Sequence, residues 1–145
     1  MAYQPFDLTG RVALVTGGNR GIGLGMASAL AQAGADIVVW GSNAERNQAA
    51  EIALLEHGTR VKTQVVDVSQ EDQVRAGFEE AVAALGRVDS VFANAGVGYG
   101  APSFVEMTTE TYRKTLAVNL DGVFFTFREA CREVSRRPLP DQKIE

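Results

Sequence analysis

The sequence predicts an α/β fold, a doubly wound parallel sheet in which a helix follows each strand. Three observations carry that expectation. Short apolar runs alternate with longer stretches of helical period, the pattern of strands joined by crossover helices. A glycine cluster from Gly17 to Gly23 separates the first run from the first helical stretch. The 145 residues are 46% hydrophobic and 22% charged, apolar enough for one real core and too apolar for a disordered chain.

The elements follow in order. Val12-Ala13-Leu14-Val15 has no in/out alternation and reads as a strand buried on both faces. Gly17-Gly18 ends it. Gly21 to Ala33 is a helix with Ile22, Met26, Ala29, Leu30 and Ala33 on one stripe, stopped by Gly34. Ile37-Val38-Val39-Trp40 is the second strand, ended by Gly41-Ser42-Asn43. Ala44 to Glu56 forms the next helix, closed by His57-Gly58. Val61 to Val66 is the third strand, with Lys62 and Gln64 giving some alternation. Ser69 is the expected N-cap of a helix from Gln70 to about Leu85, and Asp72 three residues on approximates a capping box. Val88 to Ala93 is the fourth strand, and Val97 to Ser103 a glycine-rich loop. Thr108 or Thr109 caps a last helix running towards Arg136, whose apolar face holds Leu116, Leu120, Val123, Phe124, Phe127, Cys131 and Val134.

Right-handed crossovers turn this series into a Rossmann-like open sheet of expected order 3-2-1-4. The incomplete domain is expected over residues 1–134, with a polar, proline-containing tail over 135–145. On this reading the sheet is truncated after about four strands. The fourth strand would then be an open edge, and the last helix would leave its Phe124/Phe127 side partly uncovered.

Composition narrows the partners. One cysteine cannot build a disulfide framework, and Cys131 reads as inert packing on the apolar helix face. No run of about 18 apolar residues offers a membrane span, and Met1–Leu8 lacks the features of a signal peptide. Lys+Arg 14 against Asp+Glu 18 leaves a net charge of −4, so no basic field recruits nucleic acid. The expectation is a cytoplasmic domain without nucleic-acid or membrane partners. The single histidine, His57, lies in a turn, and no His/Cys/carboxylate cluster has ligand spacing, so no metal site is expected.

The chemistry concentrates in Thr16-Gly17-Gly18-Asn19-Arg20-Gly21-Ile22-Gly23. Glycines between a buried strand and a helix start permit a tight turn and close backbone approach. The free N–H groups and the helix dipole there attract a pyrophosphate. The spacing Gly-x-x-x-Gly-x-Gly, with Thr16 ahead of it, resembles the short-chain dehydrogenase/reductase family, specifically its N-terminal cofactor-binding portion. Three later segments support the resemblance in order: Asp67-Val68 after the third strand, Asn94-Ala95-Gly96 after the fourth, and Val118-Asn119-Leu120 with Gly122 on the long helix. In the second of these, Ala93 stands where the family has a first Asn. Taken singly, Asp67 reads as a strand-end carboxylate capping a turn, and Asn94 and Asn119 as partners of backbone groups.

The resemblance implies a nicotinamide dinucleotide site at Gly17, Asn19, Arg20, Gly21, Ile22, Gly23, Gly41, Ser42, Asn43, Asp67, Val68, Asn94, Ala95, Gly96 and Val118. The stretch Trp40-Gly41-Ser42-Asn43 has no carboxylate for the ribose hydroxyls of NAD, and Arg20 could reach the 2′-phosphate of NADP. NADP(H) is therefore favoured over NAD(H), although Ser42 stands where the family's usual second Arg would be.

The resemblance also implies hydride transfer between the nicotinamide and a small carbonyl/alcohol substrate. In the family a Tyr acts as general acid/base, assisted by a Lys four residues later and a Ser that polarises the carbonyl. Four residues beyond Tyr3, Tyr99 and Tyr112 lie Asp7, Ser103 and Leu116, so Tyr-x-x-x-Lys is absent from these 145 residues. Asn119 is the one member of the family's catalytic set that matches. Tyr99 reads as a pocket-lining residue. The chain alone is expected to be inactive, and to be a homo-oligomer, poorly soluble, or covered by another polypeptide such as a missing C-terminal half. The competing expectation is a non-catalytic dinucleotide-binding or interaction module.

Overall fold

The computed structural model describes residues 6–137. Residues 1–5 of the expected domain and 138–145 of the expected tail lie outside them. The order is β1 (Val12–Thr16), α1 (Gly21–Gln32), β2 (Asp36–Gly41), α2 (Ala44–Leu55), β3 (Val61–Val65), α3 (Glu71–Leu85), β4 (Ser90–Phe92), α4 (Thr109–Leu116), a π-helical turn (Ala117–Asp121) and α5 (Gly122–Arg136). The strands form one parallel sheet in the order β3-β2-β1-β4, as expected.

Strand alternation divides the core into two layers. Val12, Leu14, Val38 and Trp40 face α3 and α5, meeting Val74, Phe78, Ala81 and Leu85. Ala13, Val15, Ile37 and Val39 face the other way onto Ala27, Ala31 and Leu54 of α1 and α2. Trp40 is wholly buried, packs edge-on to Phe78, and its indole N–H donates to Gln64 Oε1 at 2.9 Å. Gln64 in turn donates to the Gly77 carbonyl, so a polar group deep in the sheet is satisfied at both ends.

Four expectations are corrected. The fourth strand is shorter than Val88–Ala93. Before it, Asp89 takes the Val12 N–H on its side chain at 2.9 Å. After it, Asn94 and Ala95 leave the ladder to bond Thr16 and Gly17. Ser69 does not cap α3. Its hydroxyl donates to Asp67 Oδ1, the N-cap is Gln70 with no side-chain cap, and Asp72 pairs with Arg75. The last helix is not uniform, because the π-helical turn interrupts it and rotates α5 relative to α4.

The fourth correction concerns Cys131, whereas the Phe124/Phe127 side of α5 is uncovered as expected. Gly122, Thr126 and Glu129 are the buried residues of α5, while Leu120, Phe124, Phe127 and Val134 are exposed. Cys131 is exposed as well, so it is not core packing. Gly122 explains the orientation, since a Cβ there would lie 2.7 Å from Val68 Cγ2. Thr126, one turn on, donates its hydroxyl to the Gly122 carbonyl, and Phe125 and Ala130 pack against the core beside it. The end of α5 is tied down where Arg137 bonds Asp89 and the Val88 carbonyl.

Candidate functional site

The carboxyl ends of the strands open onto one cavity of about 570 Å³, within the usual range for small-molecule sites. Its floor is the glycine loop. Gly17 has φ +64° and Gly21 φ +51°, left-handed conformations that suit glycine. The loop is also too tightly packed for side chains at Gly17, Gly18 and Gly23. A Cβ at Gly17 would lie 3.0 Å from Ala95 Cα, and one at Gly23 would lie 2.2 Å from the Gly17 carbonyl oxygen.

The loop is stitched to both neighbours. Gly17 N–H donates to the Trp40 carbonyl at 2.7 Å, holding it against β2. Thr16 Oγ1 accepts from Ala95 N–H at 2.9 Å, and Asn94 Nδ2 donates to the Thr16 and Gly17 carbonyls. Asn94 thus serves backbone groups, and in doing so it locks the Asn94-Ala95-Gly96 segment beside the phosphate loop.

The start of α1 is open. Its N-cap is Arg20, no side chain caps it, and its first turn holds no acidic residue. The other helices that follow strands or loops are blocked differently: Asn43 caps α2, Thr108 caps α4, and Glu71 and Asp72 occupy the first turn of α3. An uncapped, unneutralised helix start facing a cavity suits an anion. The tight glycines, the open helix start and the cavity volume all fit a dinucleotide diphosphate.

Every residue expected to touch the cofactor lines this one cavity. Asp67 divides its carboxylate: Oδ1 accepts from Ser69 N–H and Oγ, making a turn, while the residue still borders the cavity. Tyr99 and Val97 line it from the glycine-rich loop. Lys114 stands within electrostatic reach of Tyr99, but Glu110 holds its ammonium at 2.7 Å. That hydrogen bond, then the Glu110 charge, then Tyr99 raise the Lys114 pKa. Asn119 sits in the π-helical turn outside the cavity lining. Its Oδ1 accepts from Val97 N–H and its Nδ2 donates to the Val97 carbonyl, both at 2.8 Å. Both ends of the amide therefore hold the loop bearing Val97.

The sequence reading missed Trp40, Val66 and Arg46, which also line the cavity. Arg46 matters most. It lies in the first turn of α2, where its N–H donates to the Asn43 cap at 2.8 Å. Among the described residues neither Arg20 nor Arg46 takes part in an ion pair. The signal was available, since a helix that starts at the end of β2 must aim its first turn at the crevice. Among the described residues no cluster of His, Cys, Asp and Glu could hold a metal, and no helix is long and apolar enough to cross a membrane.

Comparison with known proteins bears on family and fold. The pattern of the short chain dehydrogenase family matches residues 11–138. Versicolorin reductase 1 of Dothistroma septosporum is 38% identical over 138 residues, covering 93% of this chain and 51% of that protein. The crystal structure of an NAD+-bound xylitol dehydrogenase superposes with a TM-score of 0.85 at 29% identity, covering 88% of this chain and 49% of that one. A metagenomic short-chain oxidoreductase in complex with NADP superposes with a TM-score of 0.79 at 33% identity, covering 84% and 55%. The chain spans about half the length of the curated relatives it matches.

Proposed function

The chain belongs to the short-chain dehydrogenase/reductase family, and we propose that it forms the cofactor-binding part of an oxidoreductase using NADP(H). Bound nicotinamide would supply or accept the hydride exchanged with a small carbonyl/alcohol substrate. The observation that carries this reading is the uncapped α1 start, set above a glycine loop and opening onto the cavity. The loop N–H groups of that region would hold the diphosphate, and the Gly17 and Gly23 contacts keep the cradle rigid.

The preference for NADP(H) rests on charge. Ser42 follows the end of β2, so no carboxylate stands there to receive two ribose hydroxyls or to repel a phosphate. Arg20 and Arg46 line the same cavity from the starts of α1 and α2, with no ion-pair partner among the described residues. Two guanidinium groups on one crevice suit a 2′-phosphate. Asn119 is read as the family's matching polar residue, acting here by fixing the Val97 loop on the substrate side.

By itself the chain is read as binding without turnover. No tyrosine in its 145 residues is followed four positions later by lysine, and Lys114 near Tyr99 is engaged by Glu110. That same observation favours a second reading, a non-catalytic dinucleotide module. Finding a Ser and Tyr-x-x-x-Lys encoded beyond Glu145 would select the enzyme. A cytoplasmic setting and a small-molecule partner fit the net charge of −4 and single cysteine. The exposed α5 stripe is read as an association surface.

Titration with NADPH and NADH tests the cofactor reading. NADPH should bind more tightly, and Arg20→Ala or Arg46→Ala should each weaken NADPH by about tenfold or more while leaving NADH nearly unchanged, as expected for lost charged hydrogen bonds. Equal affinities, or equal losses for both cofactors, would reject the preference.

A further inference from the structure

Asn47 makes contacts that its own helix does not require. It projects from α2 into the sheet and is only 3% exposed. Its Nδ2 donates to the Gly41 carbonyl at 3.0 Å and to the Gln64 carbonyl at 2.9 Å, where β2 and β3 end. Its Oδ1 accepts from Asn19 Nδ2 at 2.8 Å. One amide therefore joins α2, two strand ends and the phosphate loop.

The chemistry is particular to asparagine. Two carbonyls must be met by donors and one amide N–H by an acceptor, all from a single short side chain. A carboxylate would present no donor to the carbonyls, and a hydroxyl has one hydrogen for two of them. Gly41 completes the arrangement. A Cβ there would lie 2.1 Å from Asn19 Nδ2 and 2.5 Å from Asn47 Oδ1, so only glycine lets the two asparagines meet.

We propose that Asn47 is a positioning residue for the cofactor, acting through Asn19. Asn47 does not line the cavity, whereas Asn19 does. By taking one hydrogen of the Asn19 amide, it fixes which edge of that amide faces the cavity. Asn19 Oδ1, which has no partner among the described residues, is left to accept from a ribose hydroxyl. Because the strand ends hold Asn47, the orientation of Asn19 is set before the ligand arrives, and binding is spared the cost of ordering it. The inference rests on the dinucleotide reading of the cavity and assigns control of its affinity to a residue outside it.

The test is a double-mutant cycle on the full chain, with the Kd for NADPH and the melting temperature as readouts. Asn47→Ala and Asn19→Ala should each weaken NADPH about three- to tenfold, the range expected for ordering one side chain. The double variant should bind no more weakly than Asn19→Ala alone. The melting temperature should fall with Asn47→Ala in both backgrounds, since the strand carbonyls lose their donors either way. Should Asn47→Ala not fold, Asn47→Ser keeps a donor for the strand ends, cannot reach Asn19, and is carried through the same cycle. Effects on Kd that multiply in the double variant, or a lowered melting temperature with unchanged Kd, overturn the positioning role alone. Absence of saturable NADPH and NADH binding by the unsubstituted chain overturns the cofactor reading, and this role with it.

Discussion

Gly23→Ala and Gly25→Ala make the same chemical change two residues apart in α1, and the structure gives them opposite signs. At Gly25 a new Cβ meets nothing within 4 Å. The substitution should therefore stabilise the chain by the helix-propensity difference, about 1 kcal/mol. At Gly23 the Cβ would stand 2.2 Å from the Gly17 carbonyl oxygen, 2.6 Å from Asn94 Nδ2 and 2.8 Å from the Gly17 carbonyl carbon. Two of these atoms are backbone of a loop already pinned by the Trp40 carbonyl and by Asn94. No flexible side-chain end alone can yield, so the loop itself must shift by about 1 Å. Overpacking of this kind costs about 1–3 kcal/mol, and with rigid partners the upper end applies, leaving a net loss of about 2 kcal/mol after the propensity gain. The displaced loop also lines the cavity, so the Kd for NADPH should rise at least about tenfold, or 1.4 kcal/mol. Urea unfolding followed through buried Trp40, together with NADPH titration, measures both quantities. A Gly23→Ala chain as stable as the parent, or one binding NADPH equally well, would refute the packing effect. A destabilising Gly25→Ala would refute the contrast between the two positions.

Asp89→Asn should cost about 1.5–3 kcal/mol at neutral pH, since Asp89 accepts from Val12 N–H, Arg87 and Arg137. Burial alone would raise the Asp89 carboxyl, but the Arg87 hydrogen bond, the Val12 N–H and the charges of Arg87 and Arg137 hold it below its ordinary value. Its contribution is thus complete above about pH 5 and is lost as pH falls through the lowered folded value. Urea midpoints of both chains should converge in acid, and a gap that widens there would contradict this. Phe127→Glu, on the exposed stripe of α5, should change stability by no more than about 0.5 kcal/mol while shifting sedimentation towards monomer. A parent chain that already sediments as a stable monomer would reject the association reading.

Much of this arrangement was legible along the chain because its causes are local. Val12–Val15 and Ile37–Val39 are unbroken apolar runs, and only a strand covered on both faces tolerates them. The cavity residues were implied by the family resemblance, and their convergence has a general cause: a parallel sheet brings all its strand ends to one side, so motifs following β1, β2, β3 and β4 meet there. The helix start over Ser69 could not be read this way. There the Ser69 hydroxyl donates to Asp67 Oδ1 and accepts from the Gln70 side-chain amide, so it is held in the turn, and α3 starts from Gln70 without a side-chain cap.

The order of residues by itself determined the succession of strands and helices and the glycine loop, since each follows from periodicity and turn chemistry within a few residues. The tertiary structure alone decided which face of α5 is buried. Gly122, Thr126 and Glu129 are turned inward with Phe125 and Ala130 beside them, because α5 comes so close to Val68 at Gly122 that no side chain fits there. It also decided that Arg46 joins Arg20 at one crevice and that Asn47 reaches Asn19 across 28 positions. Those meetings depend on how α2 sits against β2 and β3, a packing outcome that no local spacing encodes.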